Sequence, residues 1–579
     1  MDLEEEKRSF WRRHRVLVGF LVTAGVLLAA LGVTLAVLAR HLEPFLRAQI
    51  VAELETRFHT RVELDQFHVA VREGQESMWG IWAEGRGLRI WPPQRKGGNE
   101  ALETAVNSVP LIELKEFSFH VPLKYKQTQA WRIPEVRLTG LKIVVPPKPE
   151  REKMAGIEAA TARQQDDASR TGILRNVVVE RVVCQGVELE LETANPAKLP
   201  LTFEIKKITL THLAAGSPMG FDAELTNAKP TGLIHTAGSF GPWVVDDPGE
   251  SAVEGKYRFE KANLGEFNGI AGTLSSTGTY QGVLRNLAVA GTADVPDFKL
   301  TKYGTEMELD TDFRAQVNGT DGDTYLDKVD AQLGKSQFRL TGKVVRVLMD
   351  ANGKEVPASA RKGQEQISIG HLIDMKVDVP AARLDDFMKL VSKSGTPLMT
   401  GGVAVRAAFE IPPGKQPVPI RIKLDGEFKL NDVRFTNEKV QDKMEGLSLR
   451  GQGKPGARKD TDPQSITAMM QGRFQMANGV IALPDLKYTV PGAEISLNGT
   501  YGIDGTLHFD GTARMQATVS QMVGGWKGFL LKPADRFFKK GGAGALVPIK
   551  IRGTRENPEF GVDFGRMGGT HPETPGNRE

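Results

Sequence analysis

The sequence contains a single cysteine, Cys184, in 579 residues. No intramolecular disulfide can form, so even in an oxidising compartment the fold is held by burial and hydrogen bonding alone. Blocks of like charge are also missing: 75 Lys and Arg stand against 71 Asp and Glu, for a net charge of +4. Interspersed signs leave no basic footprint, and nucleic acid is not an expected partner. The ten histidines include no H-E-x-x-H and no pair three or four residues apart, so no local metal site is written into them. There is no G-x-S-x-G nucleophile elbow. Beyond the first forty residues no apolar run is long enough to cross a bilayer, and helix-periodic stretches are scarce. Glycine, by contrast, is plentiful at 62 residues, while proline is ordinary at 32. The glycine excess reads as turns rather than low complexity, and the length accommodates roughly four domains or one long repetitive one.

The one long apolar run is Val16 to Ala39, 24 residues without a charge. As a helix it spans about 36 Å, enough for a hydrocarbon core of ~30 Å. Lys7, Arg8, Arg12, Arg13 and Arg15 precede it, while only Arg40 and Arg47 follow closely. The positive-inside bias therefore predicts a cytoplasmic tail (1–15), a transmembrane anchor (16–39) and an exported remainder. Val37, Leu38 and Ala39 offer the alternative of a cleaved signal, against which stands a run longer than a typical secretory h-region. Next, Leu42, Leu46, Ile50, Leu54 and Phe58 recur every four residues. That spacing predicts an amphipathic helix, either capping the sheet that follows or lying in the bilayer interface.

From residue 60 onward the apolar period is two. Between Arg421 and Asn431, Ile422, Leu424, Phe428 and Leu430 alternate with Arg421, Lys423, Asp425, Glu427 and Lys429, which is a strand with one dry face. The same alternation marks Val187, Leu189 and Leu191; Leu201, Phe203 and Ile205; Met375, Val377 and Val379; and Ile549 with Ile551. Gly-Thr pairs at Gly272, Gly278, Gly291, Gly319, Gly499, Gly505 and Gly511 are expected to punctuate these strands as turns. Further helices are expected at Ala381 to Ser392 and at Gln516 to Lys540, the latter broken at Pro533. The fold class is thus mainly β: a long curved antiparallel sheet or β-groove, with one N-terminal transmembrane helix and a few short capping helices. One-faced strands must bury their apolar stripe against a second sheet, inside a closed barrel, or beneath a hydrophobic ligand in an open groove. Periodicity alone leaves all three open.

No motif supplies chemistry. Gly451, Gly453 and Gly456 spell G-x-G-x-x-G, but Pro455 interrupts it and a polar loop follows where a phosphate-binding helix must begin. Asp321, Asp323 and Asp327 around Gly322 do not have EF-hand spacing, so an acidic turn is expected there. No catalytic, metal or cofactor-binding residue is assigned.

Four strings resemble a known family. The anchor and amphipathic helix lead into TRVELDQFHVAVREGQESMWGIWAEGRGLRIWPP (Thr60 to Pro93). Near the other end stand GEFKLNDVRFTNEKVQDKMEGLSLRGQG (Gly426 to Gly453), MQGRFQMANGVIALPDLKYTVPGAEISLNGTYG (Met470 to Gly502) and VPIKIRGTRENPEFGVDF (Val547 to Phe564), with a weaker middle likeness in Ser276 to Leu300. Together they resemble the AsmA-like proteins. The resemblance implies an inner-membrane protein, related to bridge-like lipid-transfer proteins, whose periplasmic part is a curved β-structure with an apolar groove. It also implies phospholipid movement toward the outer membrane.

The domain reading follows: an N-terminal AsmA-like part (40–91), a periplasmic β-rich region (109–380), a C-terminal AsmA-like region (381–564) with a helical segment (516–540), and a disordered tail (565–579). If about 25 to 30 strands stack ~4.8 Å apart, the row is shorter than an envelope is wide, and lipid is handed to a partner. Candidate lipid-facing residues are Val187, Leu189, Leu191, Phe203, Ile205, Val377, Leu424, Phe428, Leu430, Phe474, Met476, Leu507 and Phe509. Trp526, Phe529, Leu530, Phe537 and Phe538, beside several lysines, are expected to touch a membrane or to cap the sheet end. Expected partners are the membrane, phospholipid and other envelope proteins, and no cofactor. The rival readings are a non-enzymatic envelope assembly scaffold with closed β-domains and, third, a membrane-tethered glycan-acting enzyme.

Overall fold

The computed structural model describes residues 43–56, 60–73, 79–92, 109–122, 131–146, 177–192, 200–214, 217–228, 230–242, 244, 247–267, 269–301, 305–357, 367–392, 396–455, 468–523, 544–554 and 557–562. Among these residues the architecture is mainly β, with twenty-four strands of mixed sheet and a few short helices. No described helix is long and apolar enough to cross a membrane. The apolar stretch 16–39 and the tail 565–579 lie outside the described residues. The chain divides into two compact units: Met1–Ala194 with Thr202–Leu225 and Ala237–Pro248, and Asn195–Leu201 with Thr226–Thr236 and Gly249–Glu579.

In the first unit, helix α1 (43–56) precedes strands β1 (Val62–Glu73), β2 (Trp79–Ile90), β3 (Ile112–Pro122), β4 (Trp131–Val145) and β5 (Val177–Leu191). β1 to β4 pair antiparallel in chain order. β4 and β5 run parallel, from Trp131↔Val177 to Val145↔Leu191, which corrects the expected all-antiparallel sheet. A hairpin would reverse the chain. The long connection between these strands gives it room to cross back, as a parallel pair requires.

Gly87, Gly140 and Gly186 all have φ near +65° and share one level of the sheet, between the rows Arg86–Glu116–Thr139–Gln185 and Leu88–Leu114–Leu141–Val187. Each stands level with a single residue of the neighbouring strand, without a register shift. Gly186, in its left-handed conformation, lies between Cys184 and Val187, which, three apart in sequence, share one buried cluster.

Helix α1 lies against this sheet. Leu46, Ile50 and Val51 pack on Leu64, Phe67 and Ala83. The helix also serves β1, which among the described residues pairs only with β2. Arg47 Nε donates to Leu64 O at 2.8 Å, and Glu43 and Glu55 accept from the Val69 and Val62 amides at 3.4 and 3.3 Å. An edge strand left bare is a template for unwanted pairing, and these contacts blunt it.

Strands β6 (Leu201–Leu213), β7 (Met219–Ala228) and β8 (Thr231–Phe240) follow. The second unit then continues through β9 (Ala252–Asn263), β10 (Ile270–Ala271), β11 (Thr273–Val283), β12 (Asn286–Leu300), β13 (Met307–Val317), β14 (Thr324–Leu333), β15 (Ser336–Met349) and β16 (Ser368–Arg383). After these come β17 (Met399–Ile411), β18 (Lys423–Phe435), β19 (Ala468–Ala477), β20 (Val480–Val490), β21 (Ala493–Gly502), β22 (Leu507–Met515), β23 (Ala545–Gly553) and β24 (Pro558–Val562). From β11 to β24 each strand pairs antiparallel with the next, β9 pairs with β11, and the short β10 adds to β12. Among the described residues no pairing joins β24 to β9.

Its helices are α2 (Leu384–Leu390), α3 (Val418–Arg421), α4 (Glu438–Gly451) and α5 (Val519–Val523). In an up-and-down meander, the connections after β16, β18 and β22 fall on one rim, and these hold α2, α4 and α5. Phe387, Met388, Met444, Leu447, Val519 and Met522 from those helices pack on buried Val403, Leu430, Val433, Tyr488, Val490 and Met515.

The helix expected at 381–392 is shorter than its pattern, because residues 381–383 still belong to β16. The strand expected to start at Arg421 starts at Lys423, because Pro417 and Pro419 favour the helical turn of α3. The sequence reading missed α4, whose Gly446 and mixed charges dilute its 3.6 period. Its end explains the glycine string around Gly451: Gly453 sits at φ +76°, its amide bonds Arg450 O, and the Lys454 amide bonds Leu449 O. That pattern closes a helix rather than opening a phosphate-binding one.

Candidate functional site

Inward-facing residues of the second unit line up across strands into continuous rows. One begins Tyr280–Val289–Ala315–Leu326–Gly342–Met375. It continues Phe409–Leu424–Met476–Ile481–Tyr501–Leu507, each residue directly opposite the next. Twelve strands, β11 to β22, thus contribute one apolar, glycine or tyrosine residue each, over a contour of about 50 Å. Only Ala315 and Met476 are buried; the rest are half-buried. Residues on a strand face that meet a packed second layer are normally fully buried. The helices described above cover the other end of the strands, around Leu430 and Val433.

The floor of this face is built from glycines beneath rings. Gly426 stands opposite Phe474 and Gly472 opposite Phe428, and the two rings lie diagonally, 6.2 Å between centroids. Gly499 stands opposite Phe509, and Gly278 opposite Tyr257. A Cβ on Gly426 would lie 2.8 Å from Phe474 Cζ, and one on Gly278 2.7 Å from Tyr257 Cε1. Most of the Gly-Thr glycines expected in turns are therefore mid-strand: Gly278, Gly291, Gly499 and Gly511 have ordinary strand φ, while Gly272 and Gly505 keep the positive φ of a turn or bulge. They are glycine because a neighbouring ring or carbonyl occupies the Cβ position.

Of the candidate lipid-facing residues, Val377, Leu424, Phe428, Phe474, Met476, Leu507 and Phe509 fall on this face. Leu430 is 6% exposed, inside the helix-covered core. Val187, Leu189, Leu191, Phe203 and Ile205 belong to the first unit, where Val187 and Leu191 are buried and Ile205 packs beside Val187. Trp526, Phe529, Leu530, Phe537 and Phe538 lie outside the described residues.

The opposite face is polar and carries a charge ladder. Asp330 pairs with Arg339 at 3.1 Å, Arg406 with Asp378 at 3.4 Å and Glu427 at 3.7 Å, and Arg473 with Asp485 at 3.0 Å. Two shallow cavities of about 540 and 690 Å³ lie along it, lined by Arg339, Lys376, Arg406 and Arg473 in one and by Asp294, Asp312, Asp330 and Gln337 in the other. Beside the second, the carboxylates of Asp294, Glu308 and Asp310 come within 4.8 Å of one another. Hydrogen bonding to Asp310, with burial and like charge, holds the Asp294 carboxyl above the usual carboxylate range. An all-oxygen set of this kind suits a hard divalent cation. Sequence spacing missed it, because Asp294 meets Asp310 only through the β12–β13 register.

Asp321 and Asp323 build the acidic turn. The Asp323 carboxylate accepts from the Arg346 amide at 3.0 Å, while the Arg346 guanidinium donates to Asp321 O at 2.8 Å.

No protein-family model, curated protein or solved structure matches this chain.

Proposed function

We propose that the chain is a non-enzymatic, membrane-anchored periplasmic protein that holds lipid acyl chains on the apolar face of β11 to β22 and supports phospholipid supply to the outer membrane. The observation that carries this reading is the twelve-strand row of largely apolar, mostly half-buried residues. Each methylene buried on such a surface gains about 0.8 kcal/mol, so affinity grows with the length of acyl chain laid along the row. A curved, open groove fits the row because β-bulges increase local twist, and register shifts occur at Val295/Phe298, Leu326/Val329, Val379/Ala382 and Leu430/Val433. The apolar run 16–39, read as an anchor, and the resemblance to AsmA-like proteins support a position beside an inner membrane.

The test is native mass spectrometry with lipid extraction on the full chain purified from a two-membrane bacterium. Phospholipid is expected to co-purify and to be lost from Phe428→Glu and Phe474→Glu, because an ionised carboxylate on the face is costly to cover with hydrocarbon. A well-folded, lipid-free protein overturns the proposal and favours the assembly-scaffold reading.

A further inference from the structure

Apart from Tyr501, the tyrosine hydroxyls of the half-buried apolar face gather at its β9–β11 end. At the inward positions of β9 and β11 stand Tyr257 and Tyr280, both half-buried. Tyr257 is opposite Gly278, and its Oη lies 3.1 Å from Ser276 Oγ; Tyr280 is opposite Gly255, and its Oη lies 2.6 Å from Thr236 Oγ1.

The direction of both hydrogen bonds follows from a third member. Ser276 Oγ donates to the Thr292 carbonyl at 2.8 Å, and Thr236 Oγ1 donates to the Lys256 carbonyl at 3.0 Å. A hydroxyl has one proton, and a carbonyl can only accept. Each tyrosine is therefore the donor to its Ser or Thr, and each phenol oxygen keeps only lone pairs. Burial raises both phenols above the ordinary tyrosine value, so they remain neutral. The two oxygens are neutral acceptors in a face otherwise dominated by C–H surface.

A lipid group that bonds such an acceptor must be a donor. Ester carbonyls and phosphodiester oxygens offer none, and an ammonium group brings a charge that is costly to desolvate against hydrocarbon. A neutral hydroxyl meets both conditions. Building on the acyl-chain reading, we infer that β9 and β11 form a subsite for a neutral hydroxyl carried by the bound lipid. That hydroxyl is the glycerol hydroxyl of an acylglycerol or one borne on an acyl chain.

The test uses two probe pairs, each differing in hydroxyl donors: 1-monooleoylglycerol against its di-O-methyl ether, and methyl 12-hydroxystearate against methyl stearate. Competition for the full chain is read by native mass spectrometry. The hydroxylated member of at least one pair is expected to win by roughly two- to tenfold per hydrogen bond, and the pair that shows it identifies the source. The double variant Tyr257→Phe, Tyr280→Phe keeps both rings and is expected to take both members equally. The single variants, each losing one acceptor, are expected to show an intermediate preference, and they serve if the double variant does not fold. Absence of preference in the wild type, or preference that survives loss of both phenols, overturns the subsite. Failure of all four probes to bind overturns the acyl-chain reading beneath it.

Discussion

Replacing Gly499 with alanine tests the account of the apolar floor, because two ordinary effects predict opposite signs. Gly499 has ordinary strand φ, so loss of unfolded-state freedom alone would make Gly499→Ala stabilising by about 0.4–1 kcal/mol. The structure places a Cβ there 2.6 Å from Phe509 Cδ1 and 2.7 Å from Phe509 Cα, and closer still to the His508 carbonyl oxygen. Two of these three atoms are backbone of the paired strand, so the contact is relieved only by parting β21 from β22. Overpacking of this kind costs about 1–3 kcal/mol, which outweighs the entropy gain.

The matched control is Gly446→Ala. Gly446 sits within α4 with nothing inside 4 Å of its Cβ position, and alanine there is expected to stabilise by about 0.8–1 kcal/mol. Both sites lie in the second unit, so one urea transition of the full chain reports both. The wild-type midpoint should fall between the two variants. A Gly499→Ala midpoint at or above wild type would refute the ring-over-glycine reasoning.

Three other outcomes follow from the geometry. Ser448, fully buried, donates to Pro491 O at 2.7 Å, and Gln452 Nε2 reaches the same carbonyl at 3.4 Å, so Ser448→Ala removes the shorter of two bonds to it. It is expected to lower the urea-derived stability by about 0.5–1.5 kcal/mol. The raised Asp294 carboxyl means that the folded state keeps a proton that the unfolded chain has released. Stability should therefore fall as pH rises from the ordinary carboxylate value to the raised one and change no further above it; Asp294→Asn should remove that slope from melting temperatures measured between acidic and neutral pH. Cys184 is 2% exposed and its thiol is pushed up to about 11 by burial, so a maleimide mass shift at neutral pH is expected only after denaturation.

Much of the β-structure was legible residue by residue. Alternation at Leu424, Phe428 and Leu430 announces β18, and alternation at Val187, Leu189 and Leu191 announces the end of β5, because a pleated strand turns successive side chains to opposite faces. Repetition of that pattern determined a mainly β chain with one apolar face, and the fourfold spacing of Leu46, Ile50 and Leu54 determined a helix before it. These are local consequences of backbone geometry, and no partner strand is needed to deduce them.

What surrounds the face was decided by tertiary structure. The parallel β4–β5 pair, the glycines beneath Phe474 and Phe509, and the meeting of Asp294 with Asp310 all depend on register between strands. So does the extension of separate apolar stripes into a twelve-strand row ending near two tyrosine acceptors. Local sequence specifies which way a side chain points from its own strand; only pairing specifies what stands opposite it, and the chemistry of this face lies in those opposing residues.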